Sequence, residues 1–138
     1  GDATRSDWPP CMETAIAELA MGENVNHAGR VFLASMSAAI GIDIDQCAGF
    51  FSGAPDFDPD TTRYQISHIY DREYTPAGCS RLKLDGRCPV SKGDDYICDN
   101  PKMKNPLSYI WWKQRNRSQR PEEESEESAE SSKETANP

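Results

Sequence analysis

Cys79, Cys88 and Cys98 fall within one polar stretch, CSRLKLDGRCPVSKGDDYIC, residues 79–98. Its glycines, its proline and its four Lys/Arg predict loop rather than core helix or strand. Three soft thiolate donors on a loop predict a metal ion or a cluster, and a closed tetrahedral sulfur site needs one more. Only Cys11 and Cys47 remain to supply it. Cys47 shares an apolar helix face with Phe50 and Phe51, the usual setting of a buried structural thiol. Cys11 follows two prolines at a helix N-terminus, where backbone dipoles lower a thiol's pKa and favour the thiolate that metals bind. The expected ligand set is therefore Cys11, Cys79, Cys88 and Cys98, a site that ties the first helix to the far end of the domain. The paired C-x2-C knuckles of zinc ribbons are absent, and loose single cysteines suit a larger cubane cluster. The residues alone leave zinc and an iron–sulfur cluster both open, with disulfides a distant third.

The elements that must position these residues are predicted to be helices. In PPCMETAIAELAMG, Pro9 and Pro10 suit a helix entry, Met12, Ile16 and Leu19 form an apolar stripe, and Gly22 is a stop. A second helix runs from the cap Asn26 to the stop Gly41 and buries Phe32, Leu33, Met36 and Ile40. A third begins at Asp43, which has capping-box spacing to Gln46. DPDTTRYQISHIYDREY fits strand alternation through Tyr64, Ile66, His68 and Tyr70, but its Asp58-Pro59 opening favours helix. Asn105 and Pro106 repeat that opening before a last helix with Leu107, Ile110 and Trp111 inward, both Trp111 and Trp112 being expected to pack. The fold class is thus mostly α: a single compact helical domain, 8–118, with irregular cysteine-bearing loops around a metal cluster. A flexible N-terminus, 1–7, precedes it, and a disordered acidic tail, 119–138, follows, too poor in apolar residues to offset its ordering entropy.

The 138 residues carry a formal charge of −8, unevenly distributed. Residues 1–60 hold two basic against ten acidic side chains, 61–120 hold twelve against six, and 121–138 hold one against seven. The cysteine-bearing segment is therefore basic between two acidic ones, a hint of a polyanion partner. No apolar run approaches a membrane span, and GDATRSDWPP lacks a signal pattern. The odd cysteine count fits a reducing cytosol better than a paired secreted framework. A first residue of Gly rather than Met suggests a processed product or a piece of a longer chain.

WPPCMETAI, GENVNHAGRVFLA, APDFDPDTTRYQISHIY, YTPAGCSRLK and NPLSYIWW occur in an order that resembles the C-terminal iron–sulfur domain of the archaeal and eukaryotic DNA primase large subunit. The resemblance covers roughly residues 8–112. It implies a mostly helical domain holding a [4Fe–4S] cluster on Cys11, Cys79, Cys88 and Cys98, with no ligand role for Cys47. The short spacing of the last three cysteines looks archaeal, which implies a cytoplasmic protein; a eukaryotic one would be nuclear. Template DNA, the RNA primer or initiating nucleotide with its 5′-triphosphate, and a separate catalytic small subunit are the implied partners. That subunit is contacted through a region not in this chain, so tight binding of this piece alone to it is not expected.

Phosphate recognition asks for cations and backbone N–H groups, and exposed bases ask for aromatic planes. GENVNHAGR offers His27 and Arg30 near a helix N-terminus, with Gly29 permitting close backbone approach, and the matching His and Arg of the family contact the initiating nucleotide's phosphates. TRYQISH supplies Arg63, Tyr64 and His68 for template and primer, against the alternative that Tyr64 and His68 pack in the core. Arg72, Arg81, Lys83 and Arg87 could extend the basic surface. Asp56, Asp58 and Asp60 alternate as polymerase metal ligands can, but Asp before a helix is a cap, and the family's catalytic aspartates belong to the small subunit. The chain is thus expected to be a non-catalytic, accessory nucleic-acid-binding domain. The alternative is a zinc-stabilised interaction or nucleic-acid-binding module with no role in primer initiation, its acidic tail contacting a protein partner.

Overall fold

The computed structural model describes residues 4–119. The fold follows from local helix signals in the order of the chain. Helix α1 (Pro10–Ala20) starts at its N1 proline and buries Met12, Ile16 and Leu19. Helix α2 (His27–Ala39) is capped by Asn26, whose side chain accepts the Gly29 N–H at 2.8 Å. Both helices stop at the expected glycines, with φ 82° at Gly22 and 89° at Gly41. Beyond each glycine the next N–H turns back to a carbonyl, Glu23 to Glu18 and Ile42 to Ser37, both at 2.9 Å.

Helix α3 (Ile44–Phe50) is capped by Asp43, which accepts the Gln46 N–H at 2.8 Å. The ambiguous segment is helix α4 (Pro59–Arg72), with Asp58 accepting the Thr61 N–H at 3.0 Å. Helices α1 to α4 pack on one another around Leu19, Leu33, Met36, Phe51 and Ile66. Cys47 is fully buried in this core, as its face predicted, and burial pushes its thiol above the ordinary range. The Tyr70 hydroxyl donates to the Ile42 carbonyl at 2.6 Å and ties α4 to the turn before α3.

Three expectations give way. Residues 79–84, expected as loop, form a short helix α5 (Cys79–Leu84), because Leu82 enters the core and Cys79 and Leu82 both have backbone carbonyl partners. Trp111 is not inward on helix α6 (Pro106–Gln119): it is 59% exposed, whereas Pro106, Tyr109 and Ile110 are buried. The inward face is set one step away because the Tyr109 hydroxyl has a partner beneath it, Asp95, at 2.8 Å. Residues 5–7 make a 3-10 turn, Arg5–Asp7, against which α6 packs, and Asp7 is fully buried. Residues 1–3 of the expected N-terminal segment, and 120–138 of the expected tail, lie outside the described residues.

Among the described residues there is no strand, and no helix is long and apolar enough to cross a membrane. The second apolar cluster is small: Ile97, Met103 and Tyr109, with Cys98 and Trp112 packed against them.

Candidate functional site

Two pockets with no lining residue in common carry the chemistry. The first is a cavity of about 250 Å³ lined by Cys11, Cys79, Cys88 and Cys98. Cys11 comes from the first turn of α1, Cys79 from the start of α5, and Cys88 and Cys98 from the irregular segment after it. The Cys79 N–H donates to the Lys104 carbonyl at 2.9 Å, which brings the start of α5 to the segment leading into α6. Asp95 organises the turn at Cys98: its Oδ1 accepts the N–H groups of Ile97 and Cys98 at 2.9 and 3.1 Å, while its Oδ2 accepts the Tyr109 hydroxyl. Neither Asp95 nor Tyr109 stood out in the sequence, although an Asp two and three positions before the N–H groups it serves is a readable turn signal.

The Cys11 thiol is not the low-pKa group its helix terminus suggested. Burial, and then the neighbouring thiols of Cys79, Cys88 and Cys98, push it up to about 12. Cys98 is likewise pushed up to about 12, by burial first and by the Asp95 carboxylate next. Burial also raises Cys79, while the nearby Lys83 opposes it. Among the described residues no three His, Cys, Asp or Glu side chains are grouped closely enough to hold a single metal ion. The four thiols line one cavity together with Leu82, Lys83 and Tyr109. All five cysteines are free thiols.

The second pocket, about 320 Å³, lies between α2 and α4. His27, Arg30, Tyr64 and His68 line it together. Tyr64 is 74% exposed and both histidines are exposed, so the core-packed alternative for Tyr64 and His68 is overturned. Arg63 does not line this pocket: on the other side of α4 it forms an ion pair with Asp45 of α3. Gly29 is crowded by protein rather than open to a ligand, since a Cβ there would come within 2.8 Å of Arg87 Nε and 2.7 Å of Val25. Arg87 also leaves the expected basic surface. Its side chain is 12% exposed and donates to Glu18 at 2.7 Å, pinning the cysteine-bearing segment to α1.

Arg30 is held by several acceptors. Its Nε donates to the Val25 carbonyl at 2.8 Å, and one terminal nitrogen donates to Asn24 Oδ1 at 3.0 Å. Both terminal nitrogens reach the Asp56 carboxylate, at 3.3 and 3.1 Å. Asp58 is the cap of α4, so two members of the aspartate triplet are engaged in the protein's own contacts.

The described residues thus form a helical domain with one thiol-lined cavity and a separate pocket lined by arginine, histidine and tyrosine. The chain belongs to the family formed by the C-terminal domain of the eukaryotic and archaeal DNA primase large subunit, whose model matches residues 1–135. It is 43% identical over 121 residues to the DNA primase large subunit PriL of Thermoplasma acidophilum, covering 85% of this chain and 34% of that protein. It is 38% identical over 120 residues to the corresponding protein of Methanocella arvoryzae, covering 85% of this chain and 31% of the relative. The chain thus spans about a third of the length of these archaeal relatives. No solved structure gives a significant match.

Proposed function

We propose that this domain is an accessory, non-catalytic part of an archaeal-type primase that binds template and the 5′-triphosphate end of the primer or initiating nucleotide. The observation that carries the reading is the common pocket of His27, Arg30, Tyr64 and His68. Arg supplies a planar fork for phosphate oxygens, and an exposed tyrosine supplies a face for a base. Arg63, on the neighbouring α3 side of α4, serves the template backbone as a separate contact. Bond formation between nucleotides belongs to a catalytic small subunit, whose docking region lies elsewhere in the large subunit, and the assembly works in the cytoplasm.

Cys11, Cys79, Cys88 and Cys98 would hold a [4Fe–4S] cluster. Their convergence on one cavity, with Cys47 sealed in a different part of the core, supports that assignment. The cluster would supply cross-links between α1, α5 and the segment before α6.

Binding to a primer–template with a 5′-triphosphate, compared with the same junction ending in a hydroxyl, tests the first half. The triphosphate junction should bind more tightly, and Arg30→Lys should erase most of the difference. Equal affinity for both ends would sink the initiation role. Iron, sulfide and zinc analysis after anaerobic purification tests the second half: about four irons per chain are expected, retained in Cys47→Ser.

A further inference from the structure

The Arg30 guanidinium already holds a carboxylate. Of its five N–H donors, one goes to the Val25 carbonyl and one to Asn24. Two more grip Asp56 through both carboxylate oxygens, at 3.3 and 3.1 Å. A phosphate that used the same fork would place two oxygens where Asp56 places its own, since carboxylate and phosphate are alternative bidentate partners of arginine. The two anions cannot share those hydrogens.

The contact is unequal in a way that bears on its role. Arg30 is anchored without Asp56, by the Val25 and Asn24 acceptors, and its side chain is only 25% exposed. Asp56 is 65% exposed and sits in the turn between α3 and α4. Among the described residues its carboxylate has no other side-chain partner. Arg30 holds the Asp56 carboxyl below its usual range, so it is an anion throughout the neutral region. Asp56 can therefore swing away while Arg30 stays in place.

We propose that Asp56 is a displaceable occupant of the Arg30 fork and sets how strongly the α2–α4 pocket takes a phosphate end. This rests on the reading of Arg30 as a phosphate contact. The carboxylate keeps the fork paired when no phosphate is present and lowers the apparent affinity for every ligand that must displace it. A ligand that does not use Arg30 escapes the penalty. Asp56 is thus a specificity-determining residue, and its removal should widen the gap between phosphate-bearing and hydroxyl ends.

The test measures Kd at one fixed salt concentration for two primer–template junctions, one with a 5′-triphosphate and one with a 5′-hydroxyl. The proteins are the full chain, Asp56→Asn, Arg30→Lys and the double variant, each checked for an unchanged melting midpoint. Asp56→Asn should tighten the triphosphate junction about two- to fivefold, the range of an exposed ion pair that must first open. The hydroxyl junction should change by less, and the double variant should lose the gain. Equal tightening of both junctions would reduce Asp56 to a diffuse charge effect and overturn the proposal. Weaker binding by Asp56→Asn would overturn it too, by making Asp56 a residue that positions Arg30. In both cases a loss of triphosphate preference in Arg30→Lys would leave the primase reading standing. If the parent shows no preference and Arg30→Lys binds as the parent does, the reading and the proposal fall together.

Discussion

The helical part of this domain, α1 to α4, and the cysteine-bearing part, residues 75–105, are held by different forces. In the first, long apolar side chains interlock: Leu19, Leu33 and Met36 have no exposed surface, and α2, α3 and α4 each bring their own cap. In the second, regular structure is limited to α5, and Asp and Asn side chains tie down the backbone. Asp94 accepts the Ser91 N–H, Asp95 those of Ile97 and Cys98, Asp99 that of Gly93, and Asn100 that of Lys102. The apolar cluster beneath them has only three buried members. The helical part can order on hydrophobic burial alone. The cysteine-bearing part lacks that resource, and a metal group held by four thiols is the kind of cross-link that would supply it.

The largest effect should come from removing one thiol. Cys79→Ser is expected to abolish iron and sulfide loading and to leave amides of 79–106 exchanging rapidly, while α2 and α4 keep their protection. Residue-resolved hydrogen exchange reads this directly. Loss of protection in α2 and α4 to the same extent would break the comparison, making the two parts one cooperative unit.

The reciprocal change belongs to the core. Leu33→Ala should cost about 2–5 kcal/mol, the range for a buried leucine whose cavity cannot collapse. Urea melts should show it across the whole chain, with iron content unchanged under folding conditions. A variant that keeps its melting midpoint but loses iron would reverse the roles assigned to the two parts.

The same contrast governs what could be read from the sequence. Asn26, Asp43, Asp58 and Asn105 each serve an N–H two or three residues away, so these helix starts were legible from single local signals. Met12, Ile16 and Leu19 needed only helical spacing. The four thiols that line the cavity stand out together in the sequence, yet the helix-mouth argument for Cys11 is not the physical one. Position at a helix terminus counts for less there than burial beside three other thiols. Long-range pairs were invisible. Arg63 is opposed by Asp45 and Arg30 by Asp56, partners 18 and 26 residues away, and nothing in local composition couples them. Trp111 was misplaced for the same reason, because the rotation of α6 is fixed by Asp95 rather than by the helix's own stripe.

Asp7 links α6 to the start of the chain and gives the comparison a pH axis. Burial raises its carboxyl, but the Arg117 guanidinium and the Thr4 N–H and hydroxyl outweigh that and hold it below the ordinary 3.8. A lowered folded value means that its contribution is complete above 3.8 and is lost as the pH falls through the folded value. Asp7→Asn should therefore cost about 1.5–3 kcal/mol at neutral pH, as for hydrogen bonds to a charged group. Denaturant midpoints of parent and variant should converge in acid below 3.8. A gap that opened in acid would contradict the ion pair.

The smallest effect sharpens the comparison most. Tyr109→Phe keeps the ring among Ile97 and Met103 and removes only the hydroxyl that donates to Asp95 Oδ2 at 2.8 Å. The cost should be about 1.5 kcal/mol, the low end for a hydrogen bond to a charged group. Asp95 keeps its two backbone N–H bonds, so the turn at Cys98 should loosen rather than open. Exchange should quicken at Ile97 and Cys98 and remain unchanged in α2. If side-chain-to-backbone bonds hold this part locally, the disturbance stops there. If it spreads into α1 through Arg87 and Glu18, those bonds are one network with the core, and the boundary drawn between the two parts belongs on the far side of α5.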